Sequence, residues 1–364
     1  MTVTTDTAAA PDEQSVEAFA DRLVDMLNSG ALTLMVSIGH RTGLFDAMAG
    51  MAPATSAEIA ERAGLDERYV REWLGAMTVG DIVSHDPDAG TYHLPAAHAA
   101  NLCRSSPTDN VAVFAQYIPL LGSVEDSIVD CFRDGGGVPY ERFGRFHEVM
   151  AEDSGQSVVP ALESHILPLV PGLRERLEAG IAVLDVGCGS GKAMNRLASL
   201  FPNSRCVGYD LSPEAIEAAR REARELGNDN ARFEVRDACE LGRSVEPGAF
   251  DLVTTFDAVH DQKEPRTVLR EIRRALADDG VYLAQDIKGS SHHHGDREHP
   301  VGPLLYTISC MHCMTVSLAQ GGEGLGAMWG REKAEEYYRA AGFRRVEVHE
   351  LDHDFQNYWY VCRP

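Results

Sequence analysis

Lysine is nearly missing from this chain of 364 residues: Lys192, Lys263, Lys288 and Lys333 stand among 33 basic residues that are otherwise arginine. Set against 56 acidic residues, they leave a formal charge of −23. So acidic a surface repels phosphate backbones and anionic lipid heads, and neither nucleic acid nor membrane is expected as a partner. Long apolar runs are missing too, and no stretch nears the roughly 20 residues that span a bilayer. Residues 1–14 are expected to be a flexible tail, since Met1 to Asp12 holds neither the basic nor the apolar region of a signal peptide, and a cytoplasmic location is expected. Of the eight cysteines only Cys310 and Cys313 lie close together, which argues against a disulfide framework. Repeats and low-complexity tracts are absent, hydrophobic content is an ordinary 44%, and the length suggests two domains.

What is present begins with helices. Ser15 to Gly30 carries an amphipathic pattern, and Ala31 to Thr42 predicts a second helix, apolar nearly all round and buried. Two short helices follow, one opening near Ser56 and stopped by Gly64, the next capped by Asp66 and carrying Val70, Trp73, Leu74 and Met77. Ile82 to His85 and Thr91 to Leu94 read as two short strands around a turn, so residues 15–105 form a winged helix. Its second helix sets Glu67 and Glu72 beside Arg68 and Arg71, which favours packing and dimerisation over DNA reading. Residues 106–178 read as a helical linker with aromatics, Tyr140 and Phe143 among them, able to wall a substrate pocket.

From residue 179 onward strands and helices alternate in the manner of an α/β doubly wound sheet. Ile181 to Val186 is the first strand, and it runs into Gly187-Cys188-Gly189-Ser190-Gly191 before the helix that starts at Lys192. A strand, a glycine turn and a helix make a nucleotide-binding crossing, because glycine lets backbone N–H groups approach a ligand at the helix N-terminus. Asp210 ends the second strand, Asp237-Ala238 follows the third, and Phe256-Asp257-Ala258-Val259-His260-Asp261 follows the fourth. This series resembles the class I S-adenosylmethionine-dependent methyltransferases, and with its winged helix the chain is similar to small-molecule O-methyltransferases. The resemblance implies a Rossmann-like seven-stranded sheet with an antiparallel last strand, and a homodimer through the N-terminal domain. It also implies that Asp185, Gly187, Cys188 and Gly189 hold the amino-acid end of S-adenosyl-L-methionine, with Gly191, Leu211, Phe256 and Asp257 also in the cofactor site. Asp210 suits the ribose hydroxyls, and Asp237 the adenine amino group with room at Ala238. A nicotinamide fingerprint needs its third glycine at position 192, where this chain has Lys192.

Transfer of a methyl group to a hydroxyl needs a base, and the resemblance implies that role for His260 with Asp261 beside it. The expected function is methyl transfer to a small-molecule hydroxyl. Thiol or nitrogen acceptors, and a winged-helix regulator that kept the cofactor fold, are the alternatives. Residues 288–330 are too long for a plain connection and predict an acceptor cover, with Tyr306, Met311 and Trp329 on its pocket side. The run His292-His293-His294, His299 and Cys310-Met311-His312-Cys313 has no paired zinc spacing, and no metal is expected.

Overall fold

The computed structural model describes residues 13–106 and 110–364. The tail expected over residues 1–14 lies outside the described residues up to Asp12, and its last two residues, Glu13 and Gln14, are helical instead. Two compact units meet at Pro119 and Leu120, so most of the stretch expected as a linker belongs with the second unit.

In the first unit helix α1 runs unbroken over Glu13–Thr42, where two helices parted at Gly30 were expected. A lone glycine inside a helix costs only about 1 kcal/mol, and no proline accompanies it. Its second half is only partly buried: Ser37, Gly39 and His40 face inward while Leu34 and Ile38 are exposed. Gly39 is where α1 meets the core, because a Cβ there would sit 2.6 Å from the Trp73 ring and 2.7 Å from Phe45. Trp73 donates its indole N–H to the Met35 carbonyl at 2.8 Å, fixing the crossing. The helix Ser56–Ala63 opens and stops where expected: Thr55 and Glu58 form a reciprocal capping box, and Gly64 in the left-handed region closes it. Asp66 caps Glu67–Val79 through the amides of Arg68 and Tyr69. Strands β1 (Ser84–Asp86) and β2 (Thr91–His93) form the antiparallel wing.

The second unit is built on seven strands: β3 (Ala182–Val186), β4 (Arg205–Asp210), β5 (Ala231–Val235), β6 (Phe250–Phe256), β7 (Leu276–Ile287), β8 (Arg345–Leu351) and β9 (Asp354–Arg363). Their order is β5-β4-β3-β6-β7-β9-β8, parallel except that β9 runs antiparallel to β7 and β8. Alternate strand residues feed opposite cores, as a two-residue side-chain period requires. Val183, Cys206, Leu252 and Leu283 pack under the helices Lys192–Leu200 and Pro213–Leu226, while Leu184, Val207, Val253 and Tyr282 pack under Pro265–Ala275 and Gly330–Ala340. The strand order reverses at β3 and β6, and ligands of open α/β sheets bind at the carboxyl ends beside such a switch point. Among the described residues no helix is long and apolar enough to cross a membrane.

Candidate active site

The turn after β3 is shaped by its glycines. Gly187 and Cys188 both donate backbone N–H to the Tyr209 carbonyl, at 2.8 and 3.0 Å. Gly187 has φ 74°, and a Cβ on it would lie 2.5 Å from that of Ala258; Gly191, φ 71°, would meet Phe233 at 2.6 Å. Gly189 differs: its φ is 51°, but the space where a side chain would stand is open. Its N–H donates to Asp210 Oδ2 at 2.9 Å, and Asp210 Oδ1 accepts from the Ser212 amide at 2.8 Å. Ser212, rather than Asp210, caps the next helix through the Ala215 amide. Leu211 stays about half exposed at the rim.

Carboxylates crowd the same rim. Asp185 is buried and accepts from Thr254 Oγ1 at 2.8 Å, yet burial, reinforced by Asp210, pushes its carboxyl up to about 7. Asp237 caps the turn at Ala238 through the Cys239 amide at 2.8 Å and accepts from Lys263 Nζ at 2.7 Å. Burial works against its charge, but these donors outweigh it and hold the carboxyl below its usual range. Asp257 has φ 50°, a left-handed conformation uncommon outside glycine. Its Oδ2 accepts from Gln285 Nε2 at 3.1 Å and its Oδ1 is buried without a donor. Burial and the neighbouring Asp286 drive it well above the carboxylate range, with His260 opposing. Phe256, at the end of β6, sets its ring edge-on to Trp359 at 6.0 Å.

His260 is only 3% exposed and its Nδ1 lies 2.7 Å from Asp286 Oδ1. That oxygen also accepts from the Ile287 amide at 2.9 Å and from Trp329 Nε1 at 3.1 Å. Burial alone would make the ring harder to protonate; Asp286, with Cys313 adding to it, raises it well above the ordinary histidine range. Asp261, its neighbour in sequence, has Gln262 Nε2 at 3.4 Å instead, and burial pushes its carboxyl to about 6. The partner that holds the histidine therefore comes from the next strand.

Over this rim lies an aromatic group. Tyr140 packs on Phe146, His147 and His312 at 5.8, 4.9 and 5.2 Å, with Asp261, Asp210 and Cys313 near enough to reinforce burial in raising its hydroxyl. Phe143 lies 4.6 Å from His312, which stacks on Phe146. His312 is fully buried with no hydrogen-bond partner on either ring nitrogen, and burial holds it neutral, well below its ordinary range. It belongs with Met311 to a π-helical turn, Ser309–Cys313, between the helices Gly302–Ile308 and Met314–Ala319. π-turns recur at functional sites.

The comparisons with known proteins bear on the domains and the fold. Residues 177–349 match the model of a methyltransferase domain, and residues 30–104 that of an Rv2258c-like winged helix-turn-helix domain. The chain joins a winged helix-turn-helix domain to a methyltransferase domain. An uncharacterised methyltransferase of Bacillus subtilis, YcgJ, is 33% identical over 104 residues, which are 29% of this chain and 40% of that protein. The chain thus spans less than half the length of this relative. Among solved structures, a putative O-methyltransferase of Nostoc punctiforme superposes with a TM-score of 0.70 at 18% identity, covering 97% of this chain and 99% of its own. Human N-acetylserotonin methyltransferase in complex with SAM gives 0.67 at 18%, covering 98% and 99%. At such identity these two structures show the fold.

Within the methyltransferase domain, two residues expected at the pocket do something else. Trp329 is buried in the core and donates its indole N–H to Asp286, the partner of His260. Tyr306 donates its hydroxyl to Asp296 at 2.8 Å and packs on His293. His292, His293 and His294 are exposed, and the eight cysteines are free. Asp286 is the residue that sequence reasoning missed. It lies one residue before the end of β7, much as Asp210 ends β4, and that recurrence was the available signal.

Proposed function

We propose that the protein transfers a methyl group from S-adenosyl-L-methionine to a hydroxyl of a small molecule, with His260 as the base. The observation that carries this reading is the 2.7 Å pair of His260 Nδ1 and Asp286 Oδ1, which directs the other ring nitrogen, Nε2, away from the carboxylate. Asp286 is fixed by a backbone amide and an indole N–H, so it orients the ring and stabilises the proton the ring receives. The cofactor, when bound, supplies a methyl group already activated on a sulfonium. What remains for the protein is alignment, exclusion of water and proton removal.

The charge of the site supports that cofactor over a dinucleotide. Asp185, Asp210, Asp257 and Asp261 surround the turn, and burial pushes the first and the last two up, with His260 opposing at Asp257 and Asp261. A molecule carrying a sulfonium and an ammonium relieves this crowding, whereas a pyrophosphate adds to it. Asp210 keeps lone pairs for two ribose hydroxyls, Gly189 leaves space for the ligand, and Asp237 with Ala238 meets the adenine. Asp185, Gly187, Cys188, Gly191, Leu211, Phe256 and Asp257 complete the cofactor site. Asp261 and Tyr140, with Phe143 and Met311, border the acceptor.

A second copy of the chain is the proposed partner. Val16, Phe19, Leu23, Met26 and Leu27 form a helix-spaced apolar stripe on α1, each at least 45% exposed. Two measurements test the chemistry. Calorimetry should show binding of S-adenosylmethionine and none of NAD, and His260→Ala should retain cofactor binding while losing turnover by about 10² or more. Binding of NAD alone, or normal turnover of His260→Ala with saturating acceptor, would overturn the reading.

A further inference from the structure

Asp257, His260 and Asp286 bring one ligand atom each to within 4.8 Å of the others, at the carboxyl ends of β6 and β7. Three acceptors at this spot are buried without a donor: Asp257 Oδ1, Asp286 Oδ2 and Gln285 Oε1. Asp286 and Gln285 are 1% and 3% exposed, so solvent does little to serve them. An unpaired buried acceptor costs about 1–3 kcal/mol, and His260, committed to Asp286 Oδ1, relieves none of the three. Such a group calls for a positive ion with several open coordination positions.

We propose that Asp257, His260 and Asp286 bind one divalent ion of the manganese-to-zinc series, and that this ion switches off the proposed base. Two carboxylates and an imidazole suit these borderline ions, whereas magnesium and calcium prefer oxygen alone and copper(I) prefers sulfur. Ligands sit about 2.0–2.2 Å from such an ion, so neighbouring ones lie about 3 Å apart. The 2.7 Å separation of Nδ1 and Oδ1 needs to open by only a few tenths of an ångström. The ion then replaces the proton that the two share. With the Nδ1 lone pair on the metal, the remaining ring proton sits on Nε2, and that nitrogen can no longer accept one from a hydroxyl. The ion also draws on Asp257, which the proposed cofactor site shares. The inhibitory consequence rests on the reading of His260 as base, whereas binding does not.

The test is a titration of untagged, chelator-treated protein with MnCl2 and with ZnCl2, read by calorimetry and, for manganese, by electron paramagnetic resonance. The expected result is one ion per chain, weakened at least about 10-fold in His260→Ala and in Asp257→Asn. Protein labelled with 15N-histidine keeps the test independent of how the variants fold, since bound manganese should show hyperfine coupling to one imidazole nitrogen. Methyl transfer by the wild type should fall as the site fills and return with chelator. Absence of saturable binding, or saturable binding without histidine coupling, overturns the site. Binding with undiminished turnover overturns the switch. Turnover of His260→Ala in metal-free protein tests the base separately.

Discussion

At the scale of single residues, the proposed base His260 must first give up a proton that its surroundings favour. Asp286 overrides the burial that would otherwise keep the ring neutral, and in the cofactor-free protein it titrates well above the ordinary histidine range. A base must be neutral to act, so kcat should rise with pH, with its acid limb above the usual histidine value. Asp286→Asn removes the group that raises the ring. The limb should then move to lower pH while kcat falls by about 10²-fold. Initial rates across roughly pH 6 to 9 check both shifts; a limb that stays in place shows that Asp286 does not set the titration. Asp210 permits a second prediction. Both its oxygens already accept backbone amides, and an amide side chain offers only one acceptor oxygen. Asp210→Asn should weaken S-adenosylmethionine binding about 10- to 100-fold, since a hydrogen bond to a charged group is worth about 1.5–3 kcal/mol, and calorimetry reads the change directly.

At the scale of elements, the glycine turn separates packing from ligand access. Gly187→Ala meets both an unfavourable φ and the Ala258 side chain, and should destabilise the protein by about 2–4 kcal/mol in urea unfolding. Gly189→Ala meets only backbone strain, about 1 kcal/mol, and its larger effect should fall on cofactor affinity. This element was legible in the sequence because glycine spacing, strand period and the start at Lys192 agree, and the helix lies at Lys192–Leu200 as expected. The alternation of β and α carried the sheet in the same way, and the antiparallel β9 follows from the family resemblance. Legibility fails where a side chain depends on a distant one. His260 turns to Asp286, 26 positions on, instead of adjacent Asp261, and Trp329 turns inward because Asp286 offers its indole a partner. No local pattern encodes such pairings. Helix α1 was misdivided for the opposite reason, a local signal at Gly30 that thirty residues of helix outweigh.

At the scale of the whole molecule, charge governs whom the protein meets. The arginines of the would-be recognition helix are spent locally, Arg68 on Glu72 at 2.5 Å and Arg71 on Glu67 at 3.4 Å. Affinity for duplex DNA should be undetectable at physiological salt by fluorescence anisotropy. The apolar stripe of α1 should instead hold two copies together, and Phe19→Glu with Leu27→Glu should yield monomers in light scattering. The same composition makes the protein a natural reporter of its own occupancy. Amine-directed reagents find four lysines, of which Lys192 pairs with Glu222 beside the glycine turn and Lys263 with Asp237 where the adenine is proposed to sit. Acylation of Lys263 should therefore slow when cofactor is present, while Lys333, on the helix Gly330–Ala340, keeps its rate as an internal standard. Peptide mass spectrometry of one labelled sample then measures how full the site is, with no acceptor identified and no turnover required.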